Sequence, residues 1–261
     1  MNLGSANLVL RPRSTRESVD LTLLFLTRLG GRRYLHLAAG VLLPAWAACW
    51  GCQAWLQLDW AVVWLLALPL GVWLQGVFTL AAGDLMFQPT LQPRSVLRRL
   101  SSRLGDYSGG LLISRGFMAV SIVTVLLWPW AWCRFAFLPE ALLLEGLSVG
   151  RASQRATRLN AGAFGAGLGH WCAMLACIAF SLLSAELLGR GVIQDVLQIE
   201  APVGELAEDG GSAYALLGWF ISVPIVSTLR FLRYIDVRTR VDAWDVQVRL
   251  QRAAQAALEA E

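Results

Sequence analysis

Of the chain's 261 residues, 56% are hydrophobic and only 15% are charged, where soluble domains hold roughly 45–50% and about 25%. Apolar runs extend from about residue 34 to residue 232, which excludes a separate soluble domain and leaves a membrane domain with short flanks. Every one of the 22 basic residues is arginine, and the net charge of +4 is assigned to membrane orientation and anionic headgroups, not to nucleic acid.

Residues 1–33 carry Arg11, Arg13, Arg16, Arg28, Arg32 and Arg33. They lack the short apolar core and small-residue cleavage site of a secretory leader, so the first span is expected to stay as an anchor. Ser14-x-x-Glu17 is a capping box ahead of Val19, Leu23 and Leu26, and Gly30-Gly31 is expected to stop that entry helix.

A crossing needs about 20 apolar residues. The stretches 34–57, 60–82, 161–188 and 213–232 meet this directly, and 111–148 reads as one long helix or as two spans, 111–128 and 131–148. Arginine placement decides. If 111–148 goes in and comes back, nineteen arginines share one side and only Arg190 lies opposite; if it crosses once, the split is eleven against nine. The positive-inside rule selects the return. The expected fold is therefore an all-α, six-helix transmembrane bundle over 34–232, with both termini cytoplasmic in a bacterial inner membrane. Trp50, Trp55, Trp60 and Trp64 around one outer turn, and Trp128, Trp130 and Trp132 around the other, suit an aromatic belt.

The fourth span contains Arg134, Pro139, Glu140 and Glu145. Arg134 can snorkel outward. A turn near Trp130 would set Arg115 and Glu145 at one depth, where they can pair, and Glu140 follows a helix-kinking proline. Arg115, Glu140 and Glu145 form the candidate intramembrane polar site.

Basic surface helices are expected on the cytoplasmic side. They include "LQPRSVLRRLSSRLG" with Arg98 and Arg99, and "GRASQRATRLNAG" with Arg151 and Arg155. Over 233–261, Val237, Val241, Trp244 and Val248 share one helical face, with Asp236/Arg240 and Asp245/Arg249 as pairs, which reads as an amphipathic surface helix.

No catalytic, metal or cofactor pattern emerges. Cys49, Cys52, Cys133, Cys172 and Cys177 all lie in apolar runs and read as packing residues. His36 and His170 lack the companion ligands of a zinc site and read as interfacial polar residues. In "GAFGAGLG", no strand precedes the glycines, so Gly165 and Gly169 are assigned to close helix packing.

The segments "LRPRSTRESVD", "LPEALLLEGLSVGRASQRATRL" and "YIDVRTRVDAWDVQVRL" together resemble a group of uncharacterised bacterial multipass proteins. That group is similar to the membrane domain attached to some glycerophosphodiester phosphodiesterases. Val241-Asp242-Ala243-Trp244-Asp245 departs from the group's Glu-Gly-Trp-Asp ending, and Arg155-Ala156-Thr157 departs from its Arg-Ser. The resemblance implies a six-helix inner-membrane bundle without a known activity of its own. The expected function is a non-catalytic membrane component whose basic face binds anionic lipids, protein partners or a second copy of itself. The alternative is a transporter or channel subunit using the charges around the proline-kinked fourth span.

Overall fold

A computed structural model of the chain describes residues 14–88, 91–122, 127–161, 164–196, 198 and 204–242. The described residues are helical, with no strand among them. Four stretches are long and apolar enough to cross a membrane: Thr15–Leu56, Trp60–Met86, Gly165–Arg190 and Ala213–Val241. Arg11, Arg13 and Trp244 lie outside the described residues.

Helix α1 (Thr15–Leu24) starts on the expected capping box: Glu17 N–H donates to Ser14 Oγ at 3.3 Å, and Ser14 N–H donates to Glu17 Oε2 at 3.1 Å. The stop expected at Gly30-Gly31 is instead a bend. A π-helical turn over Phe25–Gly30 leads into α2 (Gly31–Leu56), and Gly31 takes φ 47°, a conformation that glycine adopts at little cost.

Helix α3 (Trp60–Phe87) runs parallel to α10 (Ala213–Val241), with Trp219 Nε1 donating to the Ala67 carbonyl at 2.9 Å and Gly83 facing Phe231. Helix α2 lies antiparallel to α10: Trp46 Nε1 donates to the Ala213 carbonyl, and the Tyr34 and Thr228 hydroxyls meet, each at 2.9 Å. Helix α9 (Phe164–Arg190) is also antiparallel, and Gly218 is pressed against Ser181 and Leu182. These directions gather the start of α2, the end of α3, the start of α9 and the end of α10 at one end of the bundle. That end is rich in arginine. α10 is its centre, 78% of its most apolar window being buried, against 17% for α9.

The segment expected to form the third and fourth spans is divided into α5 (Leu104–Ile122), α6 (Leu127–Phe135) and α7 (Leu138–Leu143), preceded by α4 (Pro93–Ser102) and followed by α8 (Val149–Asn160). Pro139 sits in the first turn of α7, where its missing N–H costs no helical bond. It therefore starts a helix and does not kink a longer one.

Helices α5 and α6–α7 form a hairpin: Phe117 meets Trp130 at 6.4 Å and Phe135 at 5.5 Å, and Gly110 abuts Leu142. These contacts centre the hairpin several residues before the turn expected near Trp130. Trp128 and Trp132 pack on Trp171 of α9, with centroids 5.1 and 6.4 Å apart. This is in the arginine-rich half of α9, and both indoles are half-buried there, away from the far end of the bundle.

The far end does hold a tryptophan cluster. Trp64 Nε1 donates to the Gly210 carbonyl at 3.1 Å, and Trp60 lies against Gly204 and Gly211.

Candidate intramembrane charge cluster

Glu140 is wholly buried and is the hub that the sequence left without a partner. Its Oε1 accepts from Arg230 Nε at 3.0 Å and from Arg230 Nη2 at 2.7 Å, and Arg230 Nη1 donates to Gln75 Oε1 at 2.7 Å. Arg230 is itself only 5% exposed. One long side chain thus ties α7 and α3 to α10. An ion pair this dry is held by geometry and by the additional hydrogen bond, because desolvation consumes much of the Coulombic gain.

Arg115 and Glu145, expected to pair, are held apart by the earlier reversal of the hairpin. Arg115 lies over the Trp132 ring at 4.9 Å, and its Nη1 donates to Met118 Sδ at 3.4 Å. Glu145 instead anchors α8 to α10. Arg155 Nε donates to both of its oxygens at 3.3 Å, the Tyr234 hydroxyl donates to Oε1, and Arg238 Nη1 is 3.6 Å away. Arg155 also pairs with Asp242 through two hydrogen bonds. Those bonds hold the Asp242 carboxyl below the usual carboxylate range.

Arg233 and His170 complete the buried set. Arg233 Nη1 donates to the Gly167 carbonyl at 3.1 Å, and its guanidinium lies over the Phe137 ring at 5.3 Å. His170 Nε2 is 3.2 Å from the Leu229 carbonyl oxygen and the residue is buried, not interfacial as expected. Its burial follows from its place on the face of α9 that meets α10.

Close helix packing on α9 falls elsewhere than expected. A Cβ at Gly165 would meet nothing within 4 Å, and one at Gly169 only Thr15 Oγ1 at 3.8 Å, whereas at Gly167 it would come within 2.9 Å of Cys133 Sγ. The five cysteines are free thiols, and no cluster of metal-ligating side chains occurs among the described residues.

The remaining sequence-marked arginines lie on the short helices. Arg99 pairs with Asp84, Arg98 is exposed on α4, and Arg151 is exposed on α8 with its Nε 3.2 Å from Ser148 Oγ. Arg134 is exposed beside the Trp130 ring. At the far end, Arg190 pairs with Glu186 at 3.1 Å and with Glu205 at 2.5 Å. Its hydrogen bond holds the Glu205 carboxyl below the usual range.

Sequence reasoning missed Gln75, Arg230 and Arg233. The signal was "STLRFLRYI", in which two arginines continue an apolar helix without a break and were counted as flank.

Set against known proteins, the chain matches no family model, no curated protein and no solved structure.

Proposed function

We propose that this protein is a non-catalytic multipass component of a bacterial inner membrane that gathers anionic lipid headgroups on its arginine-rich end. The observation that carries the proposal is the contrast between the two ends. Arg190 at the far end is neutralised by two carboxylates. Arg28, Arg32, Arg33, Arg94, Arg98, Arg151 and Arg158 are exposed at the other end, without an ion pair among the described residues.

Helices α4 and α8 serve as amphipathic surface helices. Val96 and Leu100 on α4, and Ala152, Ala156 and Leu159 on α8, are buried against the bundle, which leaves Arg94 and Arg98 of α4 and Arg151 and Arg158 of α8 facing outward. The positive-inside rule makes the arginine-rich end cytoplasmic, both termini included. Its count requires only that 104–143 return to its side of entry. A hairpin that dips into the membrane and comes back satisfies it as well as two complete spans do, and the packing of Trp128 on Trp171 favours the dip.

Each surface arginine contributes about 1 kcal/mol toward an anionic bilayer, roughly a fivefold preference. Lipid extracted from the purified protein is therefore expected to be enriched in phosphatidylglycerol over phosphatidylethanolamine. The combined R94Q/R98Q/R151Q/R158Q variant should lose most of that enrichment; an unchanged lipid profile would reject the reading.

The buried charge cluster favours a second reading, a transporter subunit. In proteoliposomes that reading requires Glu140→Gln to abolish flux with the fold intact, whereas under the first reading only stability changes.

A further inference from the structure

The described intramembrane charges do not balance. Arg115, Arg230 and Arg233 line one narrow cavity together with Ser114, His170 and Met174. Among the described residues, the only carboxylate hydrogen-bonded within this group is Glu140; its Oε1 is taken by Arg230, and its buried Oε2 has no hydrogen-bond partner. Neither Arg115 nor Arg233 has an ion pair among the described residues, and each keeps a buried N–H without an acceptor: Arg115 Nε and Arg233 Nη2. Arg233 is 6% exposed, so it cannot snorkel out of its position. The Trp132 and Phe137 ring faces offset part of each charge, but a ring does not accept these N–H groups in the way an anion does. The Arg233 guanidinium and the buried Nε edge of the half-buried Arg115 are taken out of water in this way, and such groups are held stably beside a counter-charge.

We propose that the cavity between α5, α6, α9 and α10 is a binding site for a small monovalent anion of halide size, coordinated by Arg115 and Arg233. Its dimensions select the ligand. The free space is about 10 Å³, room for about one water-sized particle, which limits the occupant to a compact monatomic anion and excludes a phosphate group with its four oxygens. The Ser114 hydroxyl adds no donor, because it already donates to the Leu111 carbonyl at 3.1 Å. Arg230, already paired, fixes the wall of the site. The inference is independent of headgroup binding, since it uses none of the exposed arginines.

The test uses the purified full-length protein in detergent, titrated with chloride or bromide against gluconate at constant ionic strength. Chlorine-35 line broadening and the thermal midpoint are the two readouts. Saturable broadening and a saturable rise in the midpoint with either halide, absent in gluconate, are expected. Loss of a charge-assisted hydrogen bond in R115Q or R233Q should weaken halide affinity about tenfold or more, while R94Q leaves it unchanged. Because a glutamine at either buried position can itself reduce folding, the wild-type titration decides alone. A linear or anion-independent response overturns the site, and so does full halide response in the R115Q/R233Q double variant. Tighter binding of inorganic phosphate than of chloride overturns the halide assignment.

Discussion

Glu140 and Arg230 show at the residue scale why a buried ion pair is brittle. The carboxylate and the guanidinium offset each other's desolvation, so removing one strands the other. Arg230→Gln should cost about 3–5 kcal/mol, while the paired replacement Glu140→Leu with Arg230→Met should recover most of it. Thermal unfolding of the two single variants and the double variant checks this; additive losses would show that the two side chains do not act as a unit. Sequence alone singled out Glu140 as an intramembrane acid but not its partner. The pair joins residues ninety positions apart, on helices whose adjacency no local pattern encodes. Arg115 and Glu145 were matched by assuming where the hairpin turned, and a small error in that turn exchanged all their neighbours. The capping box at Ser14 was legible because both of its partners lie within three residues.

At the element scale, helices α9 and α10 are close because glycine permits it at Gly218. A Cβ there would stand 2.5 Å from the Ser181 carbonyl oxygen and 2.7 Å from Leu182 Cα. Both are backbone atoms of α9 and cannot rotate away. Gly218→Ala should therefore destabilise the bundle by about 1–3 kcal/mol. Gly165→Ala, which would meet nothing, should be neutral or gain up to about 1 kcal/mol from helix propensity. Midpoints of thermal unfolding in one detergent separate the two, and equal effects would contradict the packing described. The sequence marked Gly165 and Gly169 by spacing, but spacing cannot say which face of a helix meets a neighbour. The long apolar helices were legible for the opposite reason: hydrophobic length is a property of each segment alone.

For the whole molecule, the depth of the α5–α7 hairpin separates a dip from two complete spans. A cysteine at Trp130, in a background with the five native cysteines replaced, should resist an impermeant thiol reagent added from the periplasmic side if the hairpin only dips into the bilayer. Two complete spans would expose it. Reporter fusions after Leu104 and after Arg155 should read cytoplasmic in either case, and a periplasmic reading for the second would reject a returning segment altogether. Arginine counting could fix the sides but not the depth, because charge bias acts on what remains outside the membrane.

The central position of α10 also sets an order of events during synthesis. This helix touches α2, α3 and α9 and supplies Arg230, yet it is translated after all of them. At about 5–20 residues per second, the ninety residues between Glu140 and Arg230 take on the order of five to twenty seconds to make. By the end of that interval the nascent chain holds an acid without its cation and three apolar helices without their centre. Assembly of the interior must therefore wait for the ribosome to pass residue 230.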